Sequence, residues 1–170
     1  MRKILAILLC CLLLTACAQT DAAPTAASTE PPVTDAPTQT PTEVPTEAAM
    51  QSFTLYYGDE NAEHFLSEEV QVVQISEAVV MEHLIAAGVL PEGAAVNSLT
   101  TDGTQLHLDL NDAFRKYLLS MGTAGEHILI GSVVNTFLSA YKAECVMLTV
   151  DGEILESGHV VYDFPIEFIS

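Results

Sequence analysis

The spacing of apolar residues divides the chain from residue 52 onward into short strands and helices. Leu106, Leu108 and Leu110 alternate with polar residues, which is the pattern of a strand with one buried and one solvated face. Asp-Gly pairs at 102–103 and 151–152 predict tight turns between neighbouring strands. Apolar or β-branched runs predict extended segments over 53–57, 70–75, 94–101, 104–110, 145–150 and 153–168.

Three other segments have the periodicity of helices. Ser76 is a candidate N-cap and Gly88 a candidate terminator of the first helix, and a shorter helix is predicted from Asn111 to Gly122. The longest helix is predicted over 123–141, from the spacing of Ile130, Val133, Val134, Phe137, Leu138 and Tyr141. Because strands and helices are mixed, the sequence predicts an α+β fold with one mixed β-sheet and two main helices packed on one face.

The N-terminus has the pattern of an export signal. Two basic residues precede an apolar core over 4–14, which is too short to cross a bilayer as a helix and predicts a signal peptide over 1–16. The following Leu14-Thr15-Ala16-Cys17 resembles the lipobox of bacterial lipoproteins. The resemblance implies lipid attachment to the Cys17 sulfur and cleavage just before it. The alternative is an ordinary secretory signal with a small-residue cleavage site.

Between the signal and the domain, residues 17–51 are rich in Thr, Pro and Glu and lack apolar periodicity. Such a segment cannot bury enough surface to offset its ordering entropy, so it predicts a disordered tether. The expected location is the outer face of the cytoplasmic membrane of a Gram-positive bacterium, with the lipid on Cys17 as the membrane anchor.

The charge of the chain narrows the classes of partner. Five Lys and Arg stand against 23 Asp and Glu, for a formal net charge of −18. Such a chain cannot neutralise phosphates, which argues against nucleic acid, and it favours basic proteins or cations as electrostatic partners. Cys145 is the one cysteine of the predicted domain, and its apolar neighbours predict a buried thiol.

Several ordered segments together resemble the GerMN domain of the sporulation and germination protein M family. They are Leu55-Tyr56-Tyr57-Gly58-Asp59-Glu60-Asn61-Ala62-Glu63, Leu108-Asp109-Leu110-Asn111-Asp112-Ala113-Phe114, Gly122-Thr123-Ala124-Gly125-Glu126, Ser132-Val133-Val134-Asn135-Thr136, Val150-Asp151-Gly152 and Gly158-His159-Val160. The resemblance extends over nearly all of 52–166 and sets the expected domain at 52–170. It implies a compact α+β shape like that of the ring-building modules of secretion and sporulation machines.

The resemblance also implies a role. The sporulation member carries two such domains in tandem and helps to assemble an envelope complex, whereas this sequence has one copy. We therefore expect a noncatalytic envelope lipoprotein, without cofactor, whose domain binds another envelope protein in sporulation or germination. Self-assembly stays open, because closed rings need a repeating heterologous interface that composition does not reveal. The alternative function is a binding module for cell-wall polymer or a small ligand.

Few residues have a spacing that could indicate a catalytic or metal-binding site. Asp59, Asn61 and Glu63 have the alternating oxygen spacing of a calcium loop, but His64 replaces the required glycine, so a solvated acidic turn is the better interpretation. His107 and Asp109 share the solvated face of a strand and could pair as acid and base, but no nucleophile accompanies them. The remaining histidines lack ligand spacing, so neither a catalytic nor a metal site is predicted.

A stripe of small or polar residues runs along the longest helix, opposite its apolar face. Ser132 and Asn135 are its candidate structural or contact residues, beside Asp59 and Asn61 of the acidic turn. Solvent exposure is the favoured interpretation of the stripe, which consists of Ile128, Ser132, Asn135 and Ser139. The alternatives are a contact surface, or a hydrogen bond from Asn135 that ties the helix to a neighbouring segment.

Overall fold

The computed structural model describes residues 49–170, which form one compact unit. Along the chain the elements are β1 (Gln51–Gly58), β2 (Phe65–Val72), α1 (Glu77–Ala86), β3 (Val96–Asp102), β4 (Gln105–Leu110), α2 (Asp112–Leu119), α3 (Thr123–Tyr141), β5 (Cys145–Val150), β6 (Glu153–Glu156) and β7 (Val161–Tyr162). The predicted signal peptide over 1–16, Cys17 and the predicted tether up to residue 48 lie outside the described residues.

The strands form a five-stranded mixed sheet in the order β3-β4-β5-β6-β7, with β4 and β5 parallel and the other pairs antiparallel. α2 and α3 connect the two parallel strands. β1 and β2 form a separate antiparallel hairpin. The predicted α+β class and the mixed sheet are confirmed. The structure differs from the predicted single sheet in that β1 pairs only with β2 and does not join the other five strands.

The core lies on one face of the five-stranded sheet. Leu106, Leu108 and Leu110 of β4 have no exposed surface, and neither do the three valine and leucine residues that alternate along β5. The opposite face carries His107 and Asp109, as the alternation predicts. The prediction of a buried Cys145 is wrong: this residue opens β5 on the solvated face and is half-buried beside Gln105.

Local sequence sets the ends of the helices. The Ser76 hydroxyl accepts a hydrogen bond from the Val79 amide at 3.3 Å and begins α1, and Gly88 follows the C-cap with a φ of +73°. Asn111 is at the N-cap position of α2, but its side chain instead binds Gly93 and Ala95 of the preceding loop. Gly122, predicted to end α2, is the N-cap of α3.

α3 packs against β1 as well as against β5. The β1 amides that point away from β2 meet side chains of the helix: the Thr54 amide donates to Ser139 Oγ at 2.7 Å, and the Tyr56 amide donates to Thr136 Oγ1 at 3.0 Å. A strand edge without such partners would leave its amides unsatisfied. Side-chain hydroxyls of α3 therefore replace the missing neighbouring strand.

Replacing Thr136 by valine should lower the free energy of unfolding by about 1–3 kcal/mol, because the near-isosteric side chain leaves the Tyr56 amide without its acceptor. Thr136 has no exposed surface, so water cannot substitute for the hydroxyl. Urea denaturation of the two proteins measures the difference. Thr101→Val, on the exposed strand β3, is the matched control, and an equal effect of both variants would contradict this explanation.

Candidate interaction site on helix α3 and the C-terminal segment

The polar stripe of α3 is buried at Ser132 and Asn135 and half-buried at Ile128 and Ser139, so the favoured interpretation of solvent exposure is wrong. Ser132 has no exposed surface and Asn135 has 1%. The reason is that β1 and the C-terminal residues cover this face of the helix and use its polar side chains as hydrogen-bonding partners. The spacing correctly predicts which residues share the polar face of α3, but protein rather than solvent covers that face.

Asn135 holds the C-terminal segment against α3. Its Nδ2 donates to the carbonyl oxygen of Ile169 at 2.7 Å, and its Oδ1 accepts from the amide of the same residue at 2.9 Å. Both polar backbone groups of Ile169 are thus satisfied by one buried amide side chain. Ile166, three residues earlier, pairs with Val146 of β5 in an isolated antiparallel bridge.

These contacts place aromatic side chains at the surface. Phe164 is 47% exposed, Phe168 is 54% exposed and Val160 is 37% exposed, and all three line one groove of about 540 Å³. We call these three residues the C-terminal aromatic surface. The Phe168 ring meets Tyr56 of β1 edge to face, with 5.4 Å between ring centroids. Aromatic side chains are enriched at protein interfaces relative to the rest of the surface, so these residues are candidates for a contact surface.

A buried carboxylate holds the loop that carries Val160. Glu126 of α3 is 4% exposed, and its Oε1 accepts from the Tyr162 hydroxyl at 2.7 Å and from Ser157 Oγ at 2.5 Å. Burial, reinforced by the bond to Glu126, raises the pKa of Tyr162, so this phenol remains a proton donor at physiological pH. Ser157 Oγ in turn accepts from the Val160 amide at 2.9 Å.

The acidic turn between β1 and β2 is built around Asp59. Its Oδ1 accepts from the amides of Glu63 at 2.8 Å and His64 at 3.3 Å, and the bond from Glu63 is the main cause of its lowered pKa. Ligand atoms of Asp59, Glu63 and His64 lie within 4.8 Å of one another, and Asn61 is an exposed residue of the same turn. The three could contribute oxygen and nitrogen ligands to a divalent cation, but two backbone amides already occupy the Asp59 oxygen.

The structure does not pair His107 with Asp109. The ring of His107 lies 3.1 Å from the Gln105 amide nitrogen, while Asp109 accepts from Thr149 at 2.6 Å and from the Gly152 amide at 2.8 Å. Burial by itself would raise the pKa of Asp109, but these bonds and one from Asn97 outweigh it and hold the pKa below its usual range. Asp109 therefore fixes the β5–β6 turn.

A family profile matches the sequence of this domain. The profile of a family named Germane, described as sporulation and spore germination, matches residues 54–156. That range is more than half of the chain. The chain belongs to the Germane family. Membership confirms the predicted GerMN resemblance and places the domain in a sporulation and germination family rather than a known enzyme family.

A solved structure shares the fold of this domain. The tandem GerMN domains of the sporulation protein GerM from Bacillus subtilis match with a TM-score of 0.51 at 14% identity, over 75% of this chain and 48% of that one. The first GerMN domain of the same protein matches at 0.45 and 16%, over 71% and 96%. A Clostridium perfringens protein provisionally described as a lipoprotein matches at 0.43 and 14%, over 69% and 87%.

No curated protein sequence matches the chain. Within residues 49–170, no helix is both long enough and apolar enough to span a membrane.

The C-terminal aromatic surface was missed by sequence reasoning, which treated 153–168 only as an extended segment. The available signal was that Phe164 and Phe168 each directly follow an acidic residue in this segment, a position that favours exposure at the surface.

Asn135→Ala should detach the C-terminal segment, because Ile169 loses the partners of both its backbone groups. We expect a decrease of about 1–3 kcal/mol in the free energy of unfolding and faster proteolysis within 163–170. Limited proteolysis with mass spectrometry measures the second effect. Asn61→Ala, on the exposed turn, is the control, and unchanged cleavage in Asn135→Ala would show that other contacts hold the segment.

Asp109 should contribute to the pH dependence of stability. Because its folded-state pKa is lowered, its contribution is present above the unfolded-state pKa and is lost as the pH falls through the folded value. Below about pH 4, the stability of the wild type should therefore fall more steeply than that of Asp109→Asn. Urea denaturation at a series of pH values from about 7 down to about 2 measures the free energy of unfolding of both proteins and tests this. Asp102→Asn, on exposed strand β3, should retain the wild-type slope.

Proposed function

We propose that the chain is a noncatalytic, membrane-anchored envelope lipoprotein whose Germane domain binds another envelope protein during sporulation or germination. Family membership supports the cellular process. The lipobox-like residues ending at Cys17 support the anchor, and the Thr, Pro and Glu-rich residues up to 51 support a tether. The domain would then act at a distance from the membrane.

The C-terminal aromatic surface is the observation that carries the proposal. Two half-exposed phenylalanines and a valine beside an apolar groove combine rigid aromatic anchors with a concave surface. Hydrogen bonds to Asn135 and Glu126 fix the segments that present them. Since these hydrogen bonds hold the backbone in place before binding, association would cost little conformational entropy.

The charges around this surface favour a basic partner. Exposed Asp163 precedes Phe164, and exposed Glu167 precedes Phe168. Residues 49–170 contain only Arg115, Lys116 and Lys142 as basic residues other than histidine. A partner with apolar pockets for the two rings and a basic rim would match both the shape and the charge. Like-charged copies of the same face would repel one another.

Crosslinking in cells entering sporulation tests the proposal, with vegetative cells as the comparison. The full-length protein should recover envelope proteins that carry a basic surface. The double variant Phe164→Ser with Phe168→Ser should reduce recovery more than tenfold, because aromatic anchors supply most of the binding energy of such interfaces. Quantitative mass spectrometry of the crosslinked products measures the ratio.

The control variant changes exposed apolar residues elsewhere. Leu119→Ser with Ile154→Ser removes side chains that are 55% and 54% exposed and lie outside the aromatic surface, so recovery should be unchanged. Cys17→Ala removes the lipid acceptor and should move the protein out of the membrane fraction. Recovery of no envelope protein by the wild type, or equal recovery by the aromatic double variant, would refute the proposal.

A further inference from the structure

A second surface of the domain lies away from the C-terminal aromatic surface, between α1 and the start of β3. A groove of about 640 Å³, which we call the α1 groove, is lined by the exposed side of α1 and by residues 94–96. Met81 and Ile85 from the helix and Val96 from the strand make its walls apolar. The space between these walls is left by small side chains, those of Ala78, Ala86, Ala94 and Ala95. The groove therefore offers apolar surface to side chains of about the size of valine.

The free edge of the five-stranded sheet begins at this groove. β3 is the first strand of the sheet and pairs with β4 alone. The Ala95 amide donates to Asn111 Oδ1 at 3.2 Å, and the Ala95 carbonyl oxygen accepts from the Asn111 amide at 3.0 Å. Because successive strand residues direct their backbone groups to opposite sides, those of Val96 point away from β4. The outward backbone groups thus start at the wall of the α1 groove.

The same alternation directs the backbone groups of Leu99 and Thr101 outward. Asp102 pairs with Gln105 across the two-residue turn, so its backbone groups face β4 and those of Thr101 face away. Among residues 49–170, no hydrogen bond reaches these outward amides. Edge strands often carry lysine or proline, which hinder the addition of another strand, and β3 contains neither. This edge is open to a further strand.

An open strand edge beside an apolar groove is the arrangement that strand addition uses. Main-chain hydrogen bonds to the edge supply affinity, and the groove selects the side chains at alternate positions. From Val96 to Thr101 the edge is about 17 Å long, which matches about five or six residues of an extended peptide. Side chains on one face of that peptide would enter the α1 groove, and those on the other face would lie over the outer face of the sheet.

Charge selects among the possible peptides. Exposed Glu77 and Glu82 flank the α1 groove, and exposed Asp102 ends β3. No Lys, Arg or His side chain is among the residues that line the groove. An acidic segment would therefore be repelled, whereas Lys and Arg would be attracted and would extend their apolar stems over the rim.

We propose that the α1 groove and the β3 edge bind an extended segment of another protein, in which valine-sized apolar side chains alternate with lysine or arginine. This chain does not supply such a segment itself. Residues 17–51 contain acidic residues but no Lys or Arg. A second copy of the domain would bring the same carboxylates of Glu77, Glu82 and Asp102 to the contact, and these would repel one another. The occupant is a basic strand or tail of a different protein.

A synthetic peptide of nine alternating valine and lysine residues, added to the full-length protein, tests the proposal. We expect a dissociation constant on the order of 0.1 mM for so short a segment. The amide hydrogens of Val96, Leu99 and Thr101 should exchange rapidly in the free protein and at least about tenfold more slowly in the complex, because they gain hydrogen bonds. Hydrogen exchange followed by amide NMR measures both states.

Three further peptides separate strand pairing from charge. Methylation of the backbone nitrogens at alternate positions keeps the charge but removes the donors of one edge of the peptide, so methylation of the pairing edge should abolish binding. Replacement of every lysine by glutamate should also abolish it. Replacement of every valine by serine should weaken it about tenfold, because the α1 groove would then receive polar side chains.

A matched pair of variants tests the position of the peptide. Ala78 and Ala124 are both exposed and each is the second residue of its helix, but only Ala78 lines the α1 groove. Ala78→Arg should weaken binding of the valine-lysine peptide more than tenfold through bulk and like charge. Ala124→Arg should bind as the wild type does. Since both positions are exposed, the two melting temperatures should agree.

A second pair of variants tests the charge of the rim. Glu77→Gln with Glu82→Gln should weaken binding about fivefold, as expected when two exposed ion pairs are lost. Glu68→Gln with Glu69→Gln makes the same change in net charge on exposed positions of β2 and should leave the affinity unchanged.

Contrary results would overturn the proposal. They are equal affinity for the peptide methylated on either edge and for the unmethylated one, and equal effects of the two arginine variants or of the two glutamine pairs. Slow exchange of the Val96, Leu99 and Thr101 amides in the free monomer would mean that this chain covers its own edge. Self-association that Ala78→Arg abolishes would assign the surface to a second copy.

The test is independent of the function proposed for the C-terminal aromatic surface. Neither Phe164 nor Phe168 lines the α1 groove. Phe164→Ser with Phe168→Ser should therefore bind the valine-lysine peptide with wild-type affinity. A loss of peptide binding in this double variant would place the peptide on the aromatic surface and overturn its assignment to the β3 edge.

Discussion

The free edge of β1 is the constraint on which the rest of this domain depends. The strand has only one neighbouring strand, so its outward amides need acceptors from elsewhere. α3 supplies them through Thr136 and Ser139, and this requires hydroxyl side chains on a helix face that is otherwise buried. Gly131 on the same helix admits the ring of Phe65 from β2, at a distance that an added Cβ would not allow. The hairpin is thus attached to the domain mainly through α3, with smaller contacts to α1 and to Phe168.

The sequence predicts the elements that depend on local patterns and misses those that depend on distant partners. The bounds of α3 and β5 agree with the prediction because apolar period, glycine and turn residues are all local signals. β2 begins at Phe65, five positions before its predicted start at residue 70. Residues 66–69 are exposed and three of these four are polar, as expected for an edge strand, and only the pairing with β1 makes this segment a strand.

The polar stripe of α3 shows that the same limit of sequence-based prediction applies to the candidate site residues. Ser139, Asn135 and Ser132 have similar polarity and spacing in sequence, yet one accepts from a strand, one binds the C-terminal segment and one is buried without a hydrogen-bonding partner among residues 49–170. Periodicity shows that these residues share a face, but it does not show whether water, backbone or side chains lie against it. That information comes from chain segments more than thirty positions away in sequence.

The surface proposed to bind a partner lies outside the range that the family profile matches. The family profile ends at residue 156, before the segment that carries Phe164 and Phe168. The C-terminal aromatic surface lies beyond it and is attached by Asn135 from inside it. Family membership therefore supports the fold and the cellular process, whereas the partner has to be inferred from the chemistry of Phe164 and Phe168, which the profile does not describe.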